Sequence, residues 1–278
     1  MITMERNVKN IQPSGAARIR YAFTDVWVLS KRELLHWGGN PWGIMIGWLF
    51  PVMMLLMFGY LFGGAMAVPG GGSYFEFLMP GMFAMTMFFG VESTVMAVTT
   101  DASKGVTDRF RSMPIHASAV LLGRCMVDML NSVIGLLVLI ATGLLLGWGW
   151  HEGADHALGA FGLLLLLRFS LLWVGIFVGL HATNPHNVSM VQLLVWPVGF
   201  LSNVFVDTTT MPAWLGAIAE FNPLSATSTA ARELFGNPGL RGESWMSEHA
   251  LLLAVGWPVL LLAIFLPLAV RSYRRLNR

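Results

Sequence analysis

The sequence predicts an all-α integral membrane protein with six transmembrane helices, an N-terminal interfacial helix, and an outer re-entrant helical hairpin between spans five and six. Three observations lead there. Of its 278 residues 55% are hydrophobic and 12% charged, and the mean hydropathy is +0.65, whereas soluble domains carry about 25% charged residues. The apolar residues fall in blocks of roughly 20, enough to cross a hydrocarbon core about 30 Å thick. Lys and Arg gather in alternate connections between these blocks.

Two parts are expected along the chain, a cytoplasmic tail with an interfacial helix (1–40) and a six-span transmembrane domain (41–278). Residues 1–19 are polar, mixed in charge and interrupted by Pro13 and Gly15, which reads as a flexible tail. From Tyr21 to Trp37 the apolar residues Phe23, Val26, Trp27, Leu34 and Trp37 recur at helical spacing, while Asp25, Lys31, Arg32 and Glu33 fall mainly elsewhere. That pattern suits a helix lying in the interface. The first apolar run begins near Trp42, too late for a cleavable secretory signal, and none is expected.

The spans are expected at Trp42–Phe62, Phe75–Thr99, Ser118–Leu146, Leu158–His181, from Val188 onward, and His249–Val270. The connections are a Gly/Pro-rich loop (Gly63–Ser73), a polar basic stretch (Asp101–His116), an acidic connector (His151–Asp155) and a short link (Thr183–Asn187). Between Asp207 and Glu248 the prolines Pro212, Pro223 and Pro238 interrupt moderately apolar pieces. A full crossing there would break the alternation of charge, so this segment is read as dipping into the outer leaflet and returning. Irregular backbone at that depth must be buried in protein.

Orientation follows from the basic residues. Lys9, Arg18, Arg20, Lys31 and Arg32 precede span one; Lys104, Arg109 and Arg111 lie between spans two and three; Arg271, Arg274, Arg275 and Arg278 close the chain. All belong on the cytoplasmic side, which puts both termini there. The net charge of +2 is small and the basic residues are not clustered, so nucleic acid is not an expected partner, and membrane lipid is. The single cysteine, Cys125, excludes an intrachain disulfide and reads as a small hydrophobe.

No enzyme constellation is present: the sequence has no Cys/His metal spacing, no nucleophile elbow and no G-x-x-x-x-G-K-[ST] phosphate loop, and Gly70-Gly71-Gly72 reads as a flexible turn. No cofactor or metal is expected on this chain. The room left by six spans holds no large soluble domain, so energy coupling is expected from another chain.

Charged residues inside spans are functional candidates by default. Here they are Glu92, Asp128 and Arg168, read as a structural pair ahead of a substrate or proton role. At about 1.5 Å per residue, Glu92 and Asp128 share a depth in the inner half, and Arg168 lies about 8 Å further out, so a bridge requires Arg168 to lean inward. Spans one and two are rich in Met and Phe, among them Met53, Met57, Met82, Met85, Phe88 and Phe89. These suit an adaptable apolar substrate path, and equally lipid-facing or packing roles.

The stretch Asp101–Ile115 is short and dense in opposite charges around one aromatic. A helix there would show Asp108, Arg109 and Arg111 to the cytosol while Phe110 anchors in a partner's groove; a solvated loop obeying the positive-inside rule fits the spacing as well. Lys104-Gly105-Val106-Thr107-Asp108-Arg109-Phe110-Arg111-Ser112-Met113-Pro114, with the following Leu121-Leu122-Gly123-Arg124, resembles the signature K-G-x-x-D-R-[FL]-R-x-[ML]-P of the permeases of type-2 ATP-binding-cassette (ABC) exporters, especially the daunorubicin-resistance group. Leu78-Met79-Pro80-Gly81, Phe200-Leu201-Ser202-Asn203, Phe205-Val206, Thr210-Met211-Pro212-Ala213-Trp214-Leu215 and Phe221-Asn222-Pro223-Leu224-Ser225 follow the same family in order, from about Pro41 to the end. Two positions depart from the pattern: Ser103 stands where the family usually has an acidic residue, and Asp207 where a proline is common.

The resemblance implies a coupling helix between spans two and three that docks on a separate ATPase subunit, with the interfacial helix also touching it. Lys104, Gly105, Asp108, Arg109, Phe110, Arg111 and Pro114 are then the ATPase-coupling residues. It further implies two permeases, here a homodimer, with two ATPases that hold the ATP and Mg, and a path between the permeases worked by alternating access. The expected function is export of an amphipathic drug, secondary metabolite or lipid across the plasma membrane of a bacterium. Polysaccharide or polymer export, and a membrane-embedded enzyme or scaffold, are the alternatives.

Overall fold

The computed structural model describes residues 30–31, 41–64, 68, 71–105, 117–182, 188–239 and 244–275. The described residues form helices and connecting turns, with no strand among them. In chain order the helices are α1 (Pro41–Phe62), α2 (Tyr74–Ser103), α3 (Ala117–Leu145), α4 (Ala154–His181), α5 (Val188–Phe200), a 3-10 turn (Thr208–Thr210), α6 (Ala213–Glu220), α7 (Pro223–Phe235), α8 (Trp245–Glu248) and α9 (Ala250–Arg275). Five of them, α1, α2, α3, α4 and α9, are long and apolar enough to cross a membrane. The expected tail lies outside the described residues, as does the interfacial helix except for Ser30 and Lys31. Both of these are helical, and Ser30 is buried with its hydroxyl donating to the Gly123 carbonyl at 3.3 Å.

The centre of the fold is α2 against α4. Without driving force from water between spans, helices associate through close packing, which small residues permit. On α4, Gly175 and Gly179 are four residues apart on one face, and a Cβ at either would meet α2: Thr94 Cβ at 2.9 Å from Gly175, Val98 Cβ at 2.7 Å from Gly179. Around this pair α9 covers α4, α3 bridges α1, α2 and α4, and α5 lies along α2.

Span five is the element that differs from expectation. Its described helix, α5, has 13 residues, about 20 Å of rise against a core of about 30 Å. Pro197 and Gly199 sit in its last turn, and the chain leaves helical conformation at Leu201. The irregular stretch that follows is buried: Val204 packs over Gly81, about 10 Å along α2 from Tyr74. Backbone groups at such a place must be satisfied by protein. Asn222 Nδ2 donates to the carbonyls of Val198 (2.7 Å) and Leu201 (2.8 Å), Ser225 Oγ accepts from Asn203 N (3.0 Å), and Tyr74 Oη donates to the Phe205 carbonyl (3.1 Å). Arg232 completes the set, with Nε on the Phe77 carbonyl (2.9 Å) and Nη2 on those of Asn203 (2.9 Å) and Val204 (3.2 Å).

The prolines that made this region look irregular act as punctuation. Pro212 precedes α6 and Pro223 opens α7, where a missing N–H costs nothing. Asn222 caps α7 through its side-chain oxygen, which accepts from Leu224 N at 2.9 Å. α7 is rich in Ala, Ser and Thr and is buried among α2, α4 and α9. Its far end meets the α3–α4 connector: His151 N donates to the Phe235 carbonyl (2.8 Å), and Trp148 Nε1 to Asn237 Oδ1 (2.9 Å).

Candidate functional site

A cleft of about 470 Å³ opens between α1, α2, α3 and α5, within the 300–1,000 Å³ range of small-molecule sites. Its walls follow from helical periodicity. Thr86, Phe89, Gly90, Ser93 and Met96 recur along one side of α2, and Val188, Gln192 and Trp196 come every fourth residue of α5. α1 supplies Ile46, Trp48 and Phe50, and α3 supplies Asn131, Ser132 and Gly135. Trp48 is fixed by its indole N–H, which donates to Asn131 Oδ1 at 2.9 Å, and it lies against Gly135, where a Cβ would come within 3.3 Å of the ring.

Four rings, Trp48, Phe50, Phe89 and Trp196, share the wall with the polar side chains of Thr86, Ser93, Asn131, Ser132 and Gln192. Trp196 packs edge-on to Phe50 (5.8 Å between centroids) and against Phe89 (5.1 Å), and the rings continue through Phe200, Phe205 and Phe58. Among the described residues Glu92 is the one charged side chain in the lining, and Gln192 Nε2 donates to its Oε2 at 3.2 Å.

Behind the cleft the three intramembrane charges part company. Arg168, 1% exposed, does lean toward Asp128, with 3.9 Å between Nη2 and Oδ2. Thr94 Oγ1 joins them, accepting from Arg168 Nη2 (3.0 Å) and donating to Asp128 Oδ2 (2.8 Å). Arg168 Nε donates to Ser132 Oγ at 2.7 Å. Gly90 makes the reach possible, because a Cβ there would sit 2.7 Å from Arg168 Nε. Glu92 takes no part; it faces α5 and the cleft.

The sequence reading missed that the network continues. Arg124 Nη2 bonds Asp128 Oδ1 at 3.1 Å and Nη1 approaches Asp101 Oδ2 at 3.9 Å. The available signal was the i,i+4 spacing of Arg124 and Asp128. The chain of polar groups therefore runs from the end of α2, beside Lys104 and Gly105, through α3 to the middle of α4. It fixes the register of three helices. Lys104 and Gly105 close α2, with Gly105 at φ +66°, a left-handed conformation that favours glycine. Asp108, Arg109, Phe110, Arg111 and Pro114 lie outside the described residues.

The Met and Phe candidates do not gather in one place. Phe89 lines the cleft. Met82, Met85 and Phe88 are buried in the core, Met85 against Gly199 of α5. Met53 and Met57 are exposed on α1. Helical spacing on α2 explains the division, since successive faces of one buried helix meet different neighbours. A second, polar cavity of about 270 Å³ lies at the opposite end, lined in part by Glu152, Asn203, Asp207, Thr229 and Glu233.

The profile of the ABC-2 type transporter family matches residues 24–235. Among curated proteins, the Daunorubicin resistance ABC transporter permease protein DrrB1 of Streptomyces coeruleorubidus is 34% identical over 267 residues, which are 96% of this chain and 90% of that protein. The Putative transport permease ycf38 of Cyanophora paradoxa is 23% identical, covering 92% of this chain and 90% of its own. The Probable doxorubicin resistance ABC transporter permease protein DrrC of Mycobacterium tuberculosis is 20% identical over 78% of each chain.

Proposed function

Since this chain belongs to the ABC-2 type transporter family, we propose that it is the multi-pass, drug-exporting permease of an ATP-driven transporter, moving an amphipathic drug, secondary metabolite or lipid outward. The observation that carries this reading is the cleft between α1, α2, α3 and α5, whose size and mainly apolar lining with a few polar side chains suit an amphipathic ligand. A polymer path would call for a mainly polar lining, whereas apolar surface outweighs polar surface in this cleft.

Permeases of this kind work with an ATPase subunit, and the short connection after α2 is where we place the contact. ATP and Mg are bound and spent on that partner. Movement of the ATPase enters at Lys104–Pro114 and reaches the cleft through α2 and α3, which the Asp101–Arg124–Asp128–Thr94–Arg168 chain holds to α4. A second copy of this chain closes the cleft, with the termini on the cytoplasmic side.

The test is affinity capture of the tagged chain from native membranes in mild detergent, repeated for Asp108→Ala/Arg109→Ala. An ABC ATPase should accompany the wild type and be lost from the double variant at equal permease yield. Recovery of the permease without any ATPase from both preparations would sink the reading.

A further inference from the structure

We propose that the polar cavity beside Arg232 binds a zwitterion of the phosphoethanolamine type, its phosphate on Arg232 and its ammonium on Asp207 and Glu152. The surroundings favour a membrane phospholipid headgroup as the source. This cavity shares no residue with the cleft, so neither reading depends on the other.

The first observation is a buried arginine with a free nitrogen. The cavity holds about 270 Å³, against roughly 15 Å³ for one ordered water. Arg232 lines it while only 4% exposed, its guanidinium lying 4.0 Å from the centre of the Phe77 ring. Nε and Nη2 are spent on the carbonyls of Phe77, Asn203 and Val204, and Nη1 has no bond among the described residues. No carboxylate among them forms an ion pair with this side chain, although a buried arginine is normally paired.

The second observation is that acids line the same cavity without closing on Arg232. Asp207 spends Oδ1 on Thr209, accepting from its N and its Oγ1 at 2.8 Å each, which leaves Oδ2. Asp207 stands where a proline is common in the family, so a carboxylate here is no requirement of the turn. Glu152, on the α3–α4 connector, is exposed. Asn203 adds an acceptor, since its Nδ2 donates to Thr229 Oγ1 at 2.7 Å while Oδ1 is buried without a partner. Opposite charges held apart in one cavity match a ligand that carries both. A simple anion would face the carboxylates, and a simple cation would leave Nη1 unused. Carboxylates and an amide oxygen accept N–H bonds, which an ethanolamine ammonium donates and a trimethylated choline cannot.

The third observation places the cavity at headgroup level. Trp150 and Trp245, each two residues before a lining residue (Glu152 and Ser247), are exposed, and tryptophans gather at the membrane–water interface. Arg232 serving the backbone carbonyls alone would leave Nη1, Asn203 Oδ1 and a cavity of this size without a purpose.

The experiment is native mass spectrometry of the purified, delipidated chain in detergent, titrated with phosphatidylethanolamine, phosphatidylcholine and phosphatidylglycerol of identical acyl chains. The wild type should bind phosphatidylethanolamine about tenfold more tightly than either other lipid. Glu152→Gln/Asp207→Asn keeps both side-chain sizes and the oxygen on Thr209. It should lower phosphatidylethanolamine to the level of phosphatidylcholine and leave phosphatidylglycerol no weaker. Equal affinity for the three lipids in the wild type, or a preference unchanged in the double variant, overturns the proposal. The wild-type comparison decides the matter even if the double variant folds poorly. Soluble glycerophosphoethanolamine should displace little of the bound lipid; full displacement at equal concentration would keep the chemistry and make a solute the source.

Discussion

Arg168 shows how a single residue's reach decides its role. The sequence put it about 8 Å further out than Asp128, so that a bridge required it to lean inward. A long side chain and the missing Cβ of Gly90 supply the inward lean that a bridge required, and the facing helix decides that Asp128 is the acid it meets. Its removal should be a matter of folding. Arg168→Leu leaves Asp128 bonded to Arg124 yet deprives Thr94 and Ser132 of their donor, and breaking a buried pair by removing one partner costs about 3–5 kcal/mol. We expect a sharp fall in monodisperse protein by fluorescence-detected size exclusion, with the substrate range of the surviving fraction unaltered; normal yield with a changed range would refute this. Glu92→Gln should leave the folded yield close to wild type, since a glutamine of the same size can still accept from Gln192 across α2 and α5. Two intramembrane acids of similar depth thus have separate duties, and composition alone gave no means of telling them apart. The distinction lies in which helix each side chain faces.

At the scale of the element, the long helices were legible because length and hydropathy specify them. α1, α4 and α9 begin or end within a few residues of the spans expected from sequence. Span five was not legible, because its irregular outer part is stabilised by groups remote in sequence: Asn222 and Arg232 satisfy carbonyls between Val198 and Val204. For Arg232 the one hint in the sequence was a lone arginine in a segment of Ala, Ser and Thr. Packing of α2 on α4 makes a testable case. Gly175→Ala places a methyl 2.9 Å from Thr94 Cβ and 3.1 Å from the Val91 carbonyl, and Gly179→Ala one 2.7 Å from Val98 Cβ. Neither neighbour is the free end of a flexible chain, so each substitution should cost about 1–3 kcal/mol. Gly162→Ala, on the same helix with open space around it, should be neutral or slightly stabilising. Thermal unfolding in detergent, followed by the fraction remaining soluble, should rank Gly162→Ala above wild type or level with it, and both other variants below.

At the scale of the whole molecule, what stays exposed matters as much as what is buried. α9 and the faces of α1 and α5 carry rows of large apolar residues: Ile46, Leu49, Met53 and Met57 on α1, Met190, Leu193 and Leu194 on α5. Lipid satisfies such a surface as readily as protein does, so burial within one chain cannot say which of these faces meets a second copy. The position of the cleft distinguishes them. Its walls come from α1, α2, α3 and α5, whereas α9 lies across α4 and α7 with no share in its lining. If a second permease completes the transport path, its contact must border the cleft, and α9 must face lipid. Cysteine cross-linking separates the two, because the native Cys125 is buried and can be replaced by serine to leave a background free of thiols. In that background Leu193→Cys or Ile46→Cys should yield a covalent dimer with a short bifunctional maleimide in native membranes, while Leu252→Cys or Leu260→Cys, exposed on α9, should stay monomeric. Efficient cross-linking through α9 and none through α1 or α5 would place the partner on the wrong side of the fold. The cleft would then have to be a lipid-facing groove served by one chain alone, and alternating access between two permeases would lose its structural basis.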